Sequence, residues 1–435
     1  MTSEIALLNR SAIALAADSA MTASYWDKGK IETRYFKGTN KIFQLSTIHP
    51  VGIMIYAAAH LQGAPWDVLI KSYREQLDSK SHDDLPSYGL DFFDYIPANT
   101  HIFTAEVQDN QFKSDVDAAA ARIILPIISS DDFKNAASDA DKLTVSNAKL
   151  TETKAAIEND VFVGNATQQD VESALSRYSA EMEGVIRADQ FFSSISNTVD
   201  LSLLPKIAIT AVYKKNHTSL SNSGIVVAGF GEKDYFPRLV AYRCYGIVLG
   251  KLLWEEEQSK TVRISQSNSA AIVPFAQDEM IRTFVYGAGV DALVELDRQL
   301  MMAIESFCDE LSNNGLIHDM TGDAQKAERI GAIKEATKQK FSDGIMQYFI
   351  GSHSTPLRRV LGMLPFDELA ELAETLISIE SLKERVTRPS ASVGGPIDVA
   401  VVSKNDGFIW IKRKHYFDPK LNPRYFARRG MVGGS

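Results

Sequence analysis

The sequence predicts an α+β fold, and three observations carry that reading. Strand-like apolar blocks dominate residues 1 to 60, helical and polar segments take over from about 65 to 205, and strand character returns at Leu204 to Tyr213 and at Gly224 to Phe230. With 435 residues, 45% hydrophobic and 23% charged, the chain has ample material for a buried core. A net charge of -9 argues against general nucleic-acid binding, and no apolar run reaches the ~18 residues that would span a bilayer. Cys244 and Cys308 are too few and too far apart in sequence for a disulfide framework or a metal site, which fits a reducing cytoplasm. None of the eight histidines stands in a metal-like spacing such as His-x-x-x-His.

Taken in order, Ile5 to Leu8 and Ala12 to Asp18 read as two buried strands joined by the polar turn Asn9-Arg10-Ser11. A secretory signal is the competing reading of this apolar start. It fails because Glu4 sits where a basic region belongs, and Asn9-Arg10 splits the run into short pieces. Val51 to Ala59 reads as a buried strand running into small residues, followed by a helix from Pro65 to Leu77 with Trp66, Ile70, Tyr73 and Leu77 on one face. Residues 78 to 203 form a helical insertion, marked by the stripe Val171, Leu175, Tyr178 and Met182. Strands resume with the hairpin around Gly229-Phe230-Gly231. Two further helices follow, striped by Leu293, Leu296, Leu300, Ile304, Phe307 and Leu311 and by Leu369, Leu372, Leu376 and Ile379, with a charged helix from Gly322 to Gln347 between them. The tail, residues 411 to 435, is basic and aromatic. Such patches can bind single-stranded nucleic acid, but in an acidic chain the expected role is to lie across the insertion or a neighbouring subunit.

Thr2 directly follows Met1, and a residue as small as threonine favours methionine removal. The mature chain would then start with a hydroxyl able to attack a carbonyl and a free α-amino group, with a pKa near 8, able to accept the proton. One residue would supply both nucleophile and base. A buried lysine near that hydroxyl would favour the deprotonated nucleophile, and an aspartate would balance and orient the lysine.

From Thr2 to Lys41 the chain resembles the proteasome β-subunit and HslV group of N-terminal nucleophile (Ntn) hydrolases. The matching positions are Thr2, Asp18 within Ala17-Asp18-Ser19, and Lys41 within Asn40-Lys41-Ile42-Phe43. The spacing from Thr2 to Asp18 fits without a gap, whereas Tyr25 to Thr39 is several residues longer than the family usually allows. At the far end, Ser392-Val393-Gly394-Gly395-Pro396-Ile397-Asp398-Val399 is similar to the family's late Ser-Gly-Gly-x-Ile-Asp-Val strand entry, which makes the likeness global. The resemblance implies a four-layer αββα sandwich: a single domain spanning 1-435, with its core in 1-77 and 204-410, the insertion about 78-203, and the tail as a C-terminal extension.

It also implies a threonine-type amidohydrolase, a peptidase in which Thr2, Asp18 and Lys41 are catalytic. Backbone near Ala57 and Tyr56 would hold the oxyanion, Met54 would line the specificity pocket, and Ser19, Ser390 and Ser392 would support the terminal amine. The family's usual Asp and Ser before the double glycine are Ser390 and Val393 here, and a supporting Ser is replaced by Met280. Peptide or protein substrates, a ring or stacked homo-oligomer and no cofactor or metal are expected. The chain contains no P-loop, so ATP-driven unfolding would come from a separate partner. Two other functions fit the same start: a noncatalytic scaffold subunit, favoured if Met1 stays, and a small-molecule amidase.

Overall fold

The computed structural model describes residues 2–27, 30–314, 324–387 and 394–424. Along the chain come β1 (Ser3–Asn9), β2 (Ala12–Ala17), β3 (Ala20–Asp27), β4 (Lys30–Lys37), β5 (Ile42–Gln44), β6 (Val51–Tyr56), β7 (His60–Leu61) and β8 (Ala64–Pro65). Helices α1 (Trp66–Leu77), α2 (Leu85–Ala98), α3 (Ala105–Ser129), α4 (Asp131–Lys134), α5 (Asp139–Asn159), α6 (Gln168–Ala188), α7 (Gln190–Ser194) and α8 (Leu204–Val212) follow. Then come β9 (Ser223–Gly229), β10 (Arg238–Val248), β11 (Lys251–Glu256), β12 (Val262–Arg263) and β13 (Ala270–Ala276). Next are α9 (Glu279–Tyr286), α10 (Val290–Asn313), α11 (Ala324–Phe349), α12 (Thr355–Leu361) and α13 (Phe366–Thr387), before β14 (Asp398–Ser403) and β15 (Gly407–Lys412). The fold is mixed α and β with antiparallel sheets, as the sequence pattern predicts.

The chain divides into two compact units: Met1–Ile42, Tyr235–Pro237 and Arg263–Ser435 form the first, Phe43–Asp234 and Arg238–Val262 the second. The first is built on a five-stranded antiparallel sheet in the order β13-β1-β2-β14-β15. Its central hairpin is closed by Asn9, whose side-chain oxygen accepts the backbone N–H groups of Ser11 (2.9 Å) and Ala12 (3.0 Å). An asparagine offering its own backbone this alternative partner makes the turn expected from Asn9-Arg10-Ser11. Strand alternation sends Ile5, Leu7, Ala12, Ala14 and Ala16 to one face, where Leu369, Ala373, Leu376 and Ile377 of α13 cover them. Thr2, Glu4, Ala6 and Leu8 alternate onto the other face.

Helix α10 forms as its periodicity predicts, but its stripe does not enter the core: Leu296 and Phe307 are 44% and 64% exposed. A 3.6-residue period defines an apolar face and says nothing of what covers it.

The second unit carries a sheet in the order β11-β10-β9-β6-β5, with β12 on β10 and a short β7–β8 hairpin apart. Trp66, Ile70, Tyr73 and Leu77 of α1 and Phe92 of α2 are buried with Ile53, Ile55, Ile225 and Val227 of that sheet. A separate helical core joins α3, α6 and α8 through Phe112, Ile124, Tyr178, Met182 and Ile209. Leu204 to Tyr213, which reads as a strand in the sequence, is the helix α8 followed by one capping residue. Leu204, Ile207, Ala208, Ile209, Ala211 and Val212 are all buried. The two polar positions, exposed Lys206 and half-buried Thr210, stand four apart as on one helical face, and Pro205 in the first helical turn is the mark of a helix start.

Candidate active site

Every residue of the Thr2, Asp18 and Lys41 set lies in the first unit, where the structure brings Asp18 and Lys41 into contact beside the start of β1. The β1–β2 register pairs Glu4 with Ala17. One step beyond, the backbone N–H of Asp18 donates to the Ser3 carbonyl (3.1 Å), and the Ser3 N–H donates to Asp18 Oδ1 (3.2 Å). Thr2 is held on the other side by its carbonyl, which accepts the Gln277 N–H at 3.0 Å, while Ser3 Oγ donates to the Gln277 carbonyl at 3.1 Å. Both flanking strands therefore fix the residue that would open the mature chain.

Lys41 precedes β5 and is buried, 4% exposed. Its Nζ donates to Asp18 Oδ1. The long segment between Asp18 and Lys41 is absorbed by the two-stranded ribbon β3–β4, whose register starts at Ala20 opposite Lys37. The chain thus leaves and returns at one place, and the N–H groups of Gly38 (3.0 Å) and Thr39 (3.2 Å) both donate to the Ser19 carbonyl. Extra residues lengthen the ribbon without displacing Lys41.

The third support of Asp18 is the late glycine pair. Gly394 N–H donates to Asp18 Oδ2 at 2.7 Å, and Ser19 Oγ donates to the Pro396 carbonyl at 2.5 Å. Gly395 has φ 87°, the left-handed region that glycine enters without strain, and a Cβ there would lie 3.2 Å from Lys37 Cβ. Ser19 thus anchors the strand entry through a carbonyl. Ser390 and Ser392 lie outside the described residues. Met280, where the resembled family has a serine, contributes its backbone N–H to the Glu380 carboxylate at 2.8 Å, at the start of α9. Burial pushes the Glu380 carboxyl up from its ordinary value.

Glu4 is the member that motif reasoning misses. It is completely buried, with Oε1 3.0 Å from Lys41 Nζ. Burial pushes its carboxyl up to about 7, against the opposing pull of Lys41 and of the nearby Thr2 side chain. Neither oxygen receives a directed hydrogen bond, although Lys41 is within ion-pair distance. Its signal in the sequence is the one acidic residue of the strand Ser3–Asn9, two positions from Thr2 and hence on the same face.

Met54, Tyr56 and Ala57 belong to the second unit. Met54 is fully buried on β6. The Tyr56 hydroxyl donates to Glu257, which also accepts from Arg243, and Lys260 Nζ stands 4.7 Å above the Tyr56 ring. Ala57 ends the strand with φ 65°, a left-handed conformation that favours glycine. Among the described residues, no group of three His, Cys, Asp or Glu side chains is placed to hold a metal ion. Both cysteines are free thiols. No helix among the described residues is long and apolar enough to cross a membrane. Neither a known protein-family model nor a curated protein sequence matches the chain.

Proposed function

We propose that this chain is a threonine-type Ntn amidohydrolase, a proteasome-like peptidase on a four-layer αββα sandwich. The antiparallel sheet of each unit, with helices packed on one face, is compatible with this reading. The observation that carries the reading is the buried Lys41–Asp18 pair, held against the backbone of Ser3, next to Thr2. A buried pair of this kind is costly to build, and its place beside a hydroxyl with nucleophilic potential supports a chemical use.

In this reading Met1 is removed and Thr2 Oγ attacks the amide carbonyl. The Thr2 α-amine takes the hydroxyl proton and returns it to the leaving nitrogen. The Lys41 ammonium favours the developing alkoxide, and Asp18 holds Lys41 in place. The negative charge that develops on the attacked carbonyl oxygen calls for a backbone N–H donor. Water then hydrolyses the ester. The chemistry uses no cofactor, and the setting is a cytoplasmic ring or stacked homo-oligomer served by a separate ATPase.

The test is covalent labelling of the native protein with a β-lactone or peptide boronate, with intact mass to report Met1. Thr2→Ala should abolish both labelling and amide hydrolysis. Unchanged labelling in that variant rejects the nucleophile.

A further inference from the structure

Helices α10 and α11 are tied together in the first unit by Asp297, which accepts from Ser342 Oγ at 2.7 Å and stands 3.6 Å from Lys338 Nζ. Leu300 and Ile304 of α10 and Phe341 and Ile345 of α11 are only half-buried, and none of the described residues of either helix is buried. Two helices without a further layer do not enclose a core.

Each helix also carries a face that the chain leaves open. On α10, Leu296, Ala303 and Phe307 share one face at helical spacing, and on α11 so do Ile333, Thr337, Lys340, Gly344 and Tyr348. All are exposed, Ile333 and Tyr348 by 64% and 62%. Among the described residues, nothing outside its own helix lies within 4 Å of where a Gly344 Cβ would stand. No contact within the chain therefore calls for a glycine at this position, although glycine weakens a helix interior.

The charges of the two helices identify the occupant. Helix α10 holds six acidic residues against Arg298 alone, whereas α11 holds five basic residues against three acidic ones. The whole chain carries a net charge of -9, so two copies repel unless a basic surface of one meets an acidic surface of the other. The helix pair offers both surfaces side by side, the self-complementarity that a two-fold interface requires.

We propose that the α10–α11 pair is a self-association surface. It docks about a two-fold axis on the same pair of a second copy, with the acidic α10 of one chain against the basic α11 of the other. Four helices then close over the half-buried residues as one core. The proposal does not depend on Thr2 being a nucleophile, and it gives the expected homo-oligomer one specific interface.

The experiment is the mass of the full chain in solution, by sedimentation and light scattering over a range of concentrations. Wild type should be a dimer or a larger assembly, and its association should weaken as salt rises. Phe307→Glu/Tyr348→Glu, which places a charge on each open apolar face, should halve the mass of that assembly. Arg329→Glu/Lys340→Glu makes α11 acidic as well and should raise the dissociation constant at least about tenfold at low salt. All four positions are exposed, so the helical circular dichroism of both variants should match wild type. A monomeric wild type, or an assembly whose mass Phe307→Glu/Tyr348→Glu leaves unchanged, overturns the surface. An unchanged dissociation constant in Arg329→Glu/Lys340→Glu overturns the pairing of α10 with α11 between copies.

Discussion

Gly394 donates its backbone N–H to Asp18 Oδ2 at 2.7 Å, a bond that joins residues 376 positions apart. The strand entry leading to β14 is thereby tied to the end of the β1–β2 hairpin, and the same carboxylate carries Lys41. The two segments that make the sequence resemble an Ntn hydrolase are in this structure one hydrogen-bonded assembly.

Asp18→Ala should therefore cost more than a surface charge would. It removes the acceptor for Ser3, Gly394 and Lys41 together and leaves the buried Lys41 ammonium with Glu4 alone. Losing one member of a buried ion pair costs about 3–5 kcal/mol, so urea denaturation should show a loss in that range. A loss below about 1 kcal/mol, the worth of an exposed pair, would mean the pair is not buried in solution.

The glycine pair makes a separate prediction. Gly395→Ala places a methyl group at φ 87°, 3.2 Å from Lys37 Cβ and 3.4 Å from Ser19 Cβ. Left-handed strain plus this crowding should destabilise the protein by about 1–3 kcal/mol. In the second unit, Gly224→Ala should cost about 3 kcal/mol, because its Cβ would fall 2.0 Å from the Tyr56 ring, which the Glu257 bond holds in place. Thermal melts of both variants check these values.

Glu4 links stability to pH. Its carboxyl has an ordinary value of 4.5 and stands at about 7 when folded, so the folded state holds a proton that the unfolded state has released. The contribution is complete below about 4.5 and is lost as pH rises through about 7. Across that window wild type should lose roughly 3 kcal/mol relative to Glu4→Gln, whose amide cannot ionise. Parallel melting curves of the two proteins from pH 5 to 8 contradict this.

Legibility followed the physics of each segment. The β1–β2 hairpin was readable because its turn chemistry and strand-length apolar runs agree, and α1 because Trp66, Ile70, Tyr73 and Leu77 keep a helical period into a real core. Leu204 to Tyr213 reads as a strand because its apolar residues outnumber the two polar ones, Lys206 and Thr210, whose spacing of four is the only helical signal besides Pro205. Asp18 and Lys41 could be picked out by motif, but the reason Lys41 tolerates a long preceding segment, the Ser19 carbonyl closing the β3–β4 ribbon, is a tertiary fact. Glu4 was legible as a charge in a strand, yet its role depends on which carboxylate receives the hydrogen bonds, and sequence carries no such information.

Lys41→Met tests how the three charges depend on one another. Removing the ammonium leaves Asp18 with its two backbone donors, whereas Glu4 loses the cation beside it, having no hydrogen bond to fall back on. The single variant should lose hydrolysis and about 3–5 kcal/mol at pH 8, with a smaller stability loss at pH 5, where Glu4 can take up a proton. Adding Glu4→Gln removes the stranded charge, so the Lys41→Met/Glu4→Gln protein should be more stable at pH 8 than Lys41→Met while remaining inactive. A double-variant cycle by urea denaturation measures this coupling directly. Additive losses would show that Glu4 and Lys41 do not share a charge balance in the folded protein.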